Sequence, residues 1–308
     1  MHRELAAAVA RLRTSGRFSP VARAFLILPF WFVLSGVAVV ASLPITASQA
    51  ASPGRFLLTI GIAQALATLV AVWGFRRLLD RASLVSLGLL PASLWREALL
   101  GALVGSAAIL FVVGVLWLLG AVAFSPAPAI VPLTLAGVLV GATLLAFHEE
   151  LLVRGYILQN LAAGWGFAAA VAISSALFAV LHAFNPNTSA VAFVNLALSG
   201  VLFALLYVLT GSLVAPTVAH AAWNLVQGAV FGLPVSGVDY FARAALLNAR
   251  VKPPDWLSGG AFGPEASVIT LATLAAIDGV LLALIRRRWK QDHGGERQRD
   301  AAGDEGRT

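Results

Sequence analysis

The chain has no cysteine. That excludes disulfides, thiolate nucleophiles, cysteine-ligated zinc and a lipidated C-terminal cysteine. Charge is scarce too. Only 11% of the 308 residues are Asp, Glu, Lys or Arg, against about 25% in a soluble domain. The His-Glu-x-x-His spacing is missing, because Leu152 stands four residues after His148. A zincin-type helix is therefore excluded. No Gly-x-Ser-x-Gly-like nucleophile occurs, which removes serine hydrolysis of the rhomboid type. The sequence shows no repeat of fixed period and no second domain.

What fills the chain is apolar. Hydrophobic residues make up 59%, and the mean hydropathy is +0.88. This predicts an all-α polytopic membrane protein. Eight apolar runs are expected to span: about 24–45, 56–75, 98–124, 130–147, 167–184, 190–209, 214–231 and 266–285. The first run is too long for a signal-peptide core and is read as a retained span. The division is thus a basic tail at 1–23, a transmembrane domain at 24–285 and a basic, disordered tail at 286–308. In the first tail Leu5, Ala8, Val9 and Leu12 share one helical face, which could lie on the membrane surface or in water. The loop 232–265 could hold an interfacial segment around Trp256.

The net charge of +7 follows topology and is not a nucleic-acid footprint. Sixteen Lys and Arg residues fall in the two tails and the 76–96 loop, against four on the other side. The positive-inside rule then predicts cytoplasmic termini, in the plasma membrane if the source is bacterial.

One stretch breaks the apolar pattern: His148-Glu149-Glu150-Leu151-Leu152-Val153-Arg154. A charge at bilayer depth costs about 2.5–3.5 kcal/mol on insertion scales. Three in six residues point to a purpose, although a wetted helix end would also hold them. Glu150 and Arg154 are four apart and can pair on one helical face. Glu149 has no such partner, so it is the better general base. The fifth run adds Phe178 and His182, and the seventh adds His220 and Asn224, each pair four apart. Taken singly, such residues are often only interhelical hydrogen-bonding groups. Together they suit peptide hydrolysis: a carboxylate and an imidazole polarise a water, and His and Asn donors hold the oxyanion. The rival use is zinc ligation by Glu149, His182 and His220, with a fourth position open. The fourth span should run inward, which would put Glu149 toward the cytoplasmic end. Asp278, inside the last run, and His148 are left without a catalytic role.

These residues resemble the CAAX-protease and bacteriocin-processing family (CPBP, or Abi) of intramembrane endopeptidases, which includes the type II CAAX prenyl endopeptidases. Its Glu-Glu-x-x-x-Arg motif matches Glu149, Glu150 and Arg154. Its Phe-x-x-x-His motif matches Phe178 and His182, and its His-x-x-x-Asn motif matches His220 and Asn224. The resemblance covers about 130–233. It implies a bundle with a polar site between spans four, five and seven, acting on a membrane-associated protein or peptide. Glu149 and His182 would activate water, His220 and Asn224 would form the oxyanion hole, and Glu150, Arg154 and Phe178 would support them. The family has been described both as zinc-dependent and as metal-free. Two other classes fit the same cavity less well. One is a non-catalytic, bacteriocin-immunity-type binding partner. The other is a transporter, for which two corresponding halves are missing.

Overall fold

The computed structural model describes residues 2–48, 52–128 and 132–305. The first two residues of the expected fourth run, 130 and 131, lie outside them, as do the small residues 49–51 after the first run. Among the described residues six helices are long and apolar enough to cross a membrane. They belong to α2 (Pro20–Ser48), α3 (Pro53–Phe75), α4 (Leu94–Leu118), α5 with its continuation (Pro132–Glu150), α8 (Ala190–Thr210) and the apolar part of α11 (Val268–Glu305). These helices are apolar on nearly every face, as lipid-surrounded helices must be. Helix α11 is carried on to Glu305, through the stretch that composition assigns to a disordered tail.

Of the eight runs expected to span, six give helices of spanning length among the described residues and two give shorter ones. The fifth run yields α7 (Phe167–Leu181), of 15 residues. That is about 22 Å long at 1.5 Å per residue, short of a hydrocarbon core of about 30 Å. It stops because His182 leaves the helix for a tight turn, with Asn185 N–H donating to His182 O at 3.0 Å. The seventh run yields α9 (Val214–Asn224), which widens into a π-helical segment, Leu225–Val230. The third run ends early at Leu118. Its last residues form β1 (Val122–Pro126), paired antiparallel with β2 (Leu247–Val251) from the long loop.

Helix α1 (Arg3–Thr14) buries the four residues expected on one face, Leu5, Ala8, Val9 and Leu12. Protein covers that face: α1 packs on α6 (Gln159–Trp165) and on the 3-10 turn Val85–Leu87. Trp256 is exposed on the short α10 (Asp255–Ser258) of the long loop.

Small residues let the spans touch. Gly101 and Gly105 of α4 meet Ala215 and Ala219 of α9, one helical turn apart on each side. A Cβ on Gly105 would run into the Ala219 carbonyl. Without a hydrophobic drive between helices in lipid, such backbone contact is what holds them. It fixes α9, which carries His220, against α4.

A buried polar knot anchors the other side. Asp80 pairs with Arg23 at 2.9 Å and with Arg76 at 3.0 Å, all three side chains being at most 1% exposed. Tyr156 Oη and Asn160 Nδ2 donate to the same carboxylate, and Arg23 Nη2 donates to Leu12 O at 2.6 Å. The knot joins α1, α2, α3 and the continuation of α5. Arg23 and Arg76, counted above as topology signals, are therefore structural as well.

Candidate active site

Helix α5 ends at Glu150 and continues as a π-helical segment, Leu151–Leu158, before α6. π-Bulges are rare and often fall at functional sites. Here the segment begins next to the paired carboxylates, and every residue in it is buried.

Glu150 is fully buried and accepts from Arg154 Nη1 at 3.0 Å, the expected i,i+4 pair. The same oxygen, Oε1, lies 3.0 Å from His220 Nδ1. Arg154 also donates to Gly200 O at 3.0 Å, and its guanidinium lies over the Phe178 ring at 4.4 Å and the Phe203 ring at 5.3 Å. Gly200 makes this possible. A Cβ there would lie 2.8 Å from Ser175 Cα, so only glycine lets α7 and α8 close at that level. Phe203 stacks on His220 at 4.8 Å, and Phe178 lies 4.6 Å from His182.

Glu149 differs from its neighbour. Its side chain is 26% exposed, and its Oε2 has no hydrogen-bond partner among the described residues. That oxygen faces His182 Nε2 at 3.6 Å and His220 Nε2 at 3.9 Å. Both far ring nitrogens are tied down. His182 Nδ1 lies 2.8 Å from Phe178 O, and His220 Nδ1 faces Glu150. A carbonyl or carboxylate only accepts, so the network assigns each Nδ1 its proton. In the neutral ring each Nε2 then presents a lone pair toward Glu149. Acceptor facing acceptor at these distances leaves no direct bond, and suits a group that donates to both.

A cavity of about 20 Å³ adjoins the histidines, room for about one water. His182, His220, Asn224, Phe178, Ser236 and Glu265 are among its walls. The residues expected from spans four, five and seven are thus brought together, Asn224 included. Phe203 and Glu265 were not legible as site residues: one is an unremarkable apolar residue of α8, the other a lone acid in a loop. Glu149 lies mid-way along the 34-residue span Pro132–Trp165. Ser236 and Glu265 come from the end of the bundle opposite α1 and the 76–96 loop.

The donor set of Glu149, His182 and His220 has zinc-type chemistry. Ligands at about 2.0–2.2 Å from a tetrahedral zinc lie about 3.3–3.6 Å from one another, and the spacings here reach 3.9 Å. Among the described residues no group of three His, Asp or Glu side chains is arranged to hold a metal ion. The chemistry proposed below is derived from the protein's own side chains. His148 holds its own helix, with Nδ1 at 2.5 Å from Leu145 O. Asp278 is buried, and neither of its oxygens has a partner among the described residues.

Six helices of spanning length among the described residues, with a Glu–His cluster between the helices, mark an integral membrane protein. Residues 132–226 match the family model described as type II CAAX prenyl endopeptidase Rce1-like. The matched segment carries Glu149, Glu150, Arg154, His182, His220 and Asn224, and is similar to that family. Neither a curated protein nor a solved structure matches the chain.

Proposed function

We propose that the chain is an intramembrane endopeptidase that hydrolyses a peptide bond of a membrane-associated protein or peptide. The observation that carries this is the free Glu149 Oε2, facing Nε2 of both His182 and His220 while both Nδ1 atoms are held elsewhere. A water donating one hydrogen to Glu149 and the other to His182 would have its lone pairs free for a carbonyl carbon. As the C–O bond forms, Glu149 takes the proton and the carbonyl electrons move onto oxygen. Asn224 Nδ2 is a donor for that oxyanion, and His220 Nε2 is a second one when the ring is cationic. Collapse breaks the C–N bond, and the leaving nitrogen takes the proton back from Glu149. Arg154 balances Glu150, so that Glu150 can orient His220 without taking part in proton transfer.

The matched family's description names prenyl endopeptidases; only the endopeptidase is carried over here. The test is cleavage of a peptide and membrane-protein library by purified protein in lipid, parent beside Glu149→Gln, with and without chelator and added zinc. The parent should cleave, and Glu149→Gln should be slower by about 10²–10⁴-fold. Chelator should leave the parent unchanged. Activity lost to chelator and restored by zinc would replace glutamate activation of the water by a metal-borne water. Equal cleavage by both proteins would refute the assigned base.

A further inference from the structure

The long loop between α9 and α11 lies outside the family-matched segment, yet it walls the site. Its anchor is Glu265, a carboxylate only 8% exposed. Oε2 accepts from the Ser236 backbone N–H and from Gln227 Nε2 at 3.2 Å, and Oε1 lies 3.1 Å from Ser236 Oγ. Each contact leads on to a site element. Ser236 O accepts from Asn185 Nδ2 at 2.9 Å, which clamps the turn that begins at His182. Gln227 Nε2 donates also to Pro234 O, and Gln227 Oε1 accepts from Trp223 Nε1 at 2.8 Å, next to Asn224. The backbone at Glu265 is itself pinned, because Asn195 Nδ2 of α8 donates to Glu265 O at 2.7 Å and to Ser267 O at 2.9 Å.

We infer that Glu265 is a positioning residue for the reaction: from the loop it joins the turn bearing His182 to the helix bearing His220 and Asn224, and so sets the water-activating group against the oxyanion donors. Glu265 reaches the turn through Ser236, whose carbonyl holds Asn185, and reaches the helix through Gln227. The wall is also the right size for the task. It closes a space of about 20 Å³, and a shift of about 1 Å would change whether one water fits between its partners. Burial pushes the Glu265 carboxyl above the ordinary carboxylate range, against the opposing pull of Ser236, Gln227 and His182. A buried acid at such a cost, with every oxygen engaged, is poorly explained as loop packing. The inference rests on the endopeptidase reading above for its kinetic part and on geometry alone for the rest.

The chain has no cysteine, so two can be placed at the exposed Phe184 and Asp239 for spin labels. Their distance distribution is measured in the parent, Glu265→Ala and Glu265→Gln, together with kcat and KM on a cleaved substrate. Glu265→Ala should broaden the distribution and lower kcat by about 10²-fold, with KM little changed. Glu265→Gln keeps the shape and an acceptor for the Ser236 N–H, so it should restore a narrow distribution and most of kcat. A distribution in Glu265→Ala as narrow as the parent's overturns the inference, as does undiminished kcat. If the parent cleaves nothing, the proposed function fails, and the label distances still decide whether Glu265 holds the loop against the turn bearing His182.

Discussion

Replacing Arg154 by methionine removes the one cation that faces Glu150 while keeping an unbranched side chain of similar length. Both groups are fully buried, and the pair is 3.0 Å apart. Burying two charges is costly, but breaking such a pair costs more, because the remaining carboxylate stays in low dielectric without its partner. The expected loss is about 3–5 kcal/mol. Gly200 O loses its side-chain donor too, a term of about 1–3 kcal/mol in isolation. The two losses are not added, since that carbonyl remains inside α8. Stability is read from reversible unfolding in mixed micelles, in a double-mutant cycle with Glu150→Leu. The double variant should recover most of what Arg154→Met loses, because an apolar pair of similar volume replaces the ions. It should nevertheless stay inactive, since His220 Nδ1 then has no acceptor. A single variant within about 1 kcal/mol of the parent, or a double variant no more stable than the single, would refute the argument that this pair holds the site.

Three further outcomes are expected. Asp80→Asn leaves Arg23 and Arg76 buried without their shared anion and should cost about 3–5 kcal/mol in the same unfolding assay, more than Arg23→Met or Arg76→Met alone. Gly105→Val presses on the Ala219 carbonyl and should cost about 1–3 kcal/mol; Gly114→Ala, with open space around it, should cost nothing. Glu265 is held above its ordinary pKa of 4.5 in the folded chain. The unfolded chain therefore releases that proton first as pH rises. The contribution of Glu265 to stability is full below about pH 4.5 and is lost as pH climbs through the raised folded value. Glu265→Gln should remove this part of the pH dependence, measured as the stability difference between parent and variant across that range.

Much of the site was legible because its chemistry is local. Glu150 and Arg154 pair at helical spacing, and the Phe178–His182 and His220–Asn224 pairs each declare themselves within five residues. The apolar runs found the spans for the same reason, since burial in lipid acts on each helix separately. What was not legible is what depends on distant residues. Helical periodicity says nothing of the π-helical winding after Glu150. Nor does it join Arg23 to Asp80 across 57 positions, or β1 to β2 across a separation about twice as long. Glu265 has no motif around it, and its meaning comes only from Ser236 and Gln227. Run length overstated α7 and α9, because a run of apolar residues does not reveal where its helix stops.

Helix α7 turns Ala168, Ala172, Ala176 and Val180 outward, a stripe of small apolar residues facing acyl chains. Being about 8 Å shorter than the hydrocarbon core is thick, it cannot meet both headgroup layers of an undistorted bilayer. A helix this short is accommodated by thinner lipid beside it or by flanking residues that reach the interface, and His182 caps its C-terminal end. Where the lipid thins, the distance that water and a polar peptide must travel through oil is shortest along that flank. Catalysis would then be set in part by the host membrane: thick, sterol-stiffened bilayers resist the thinning, and thin fluid ones supply it freely.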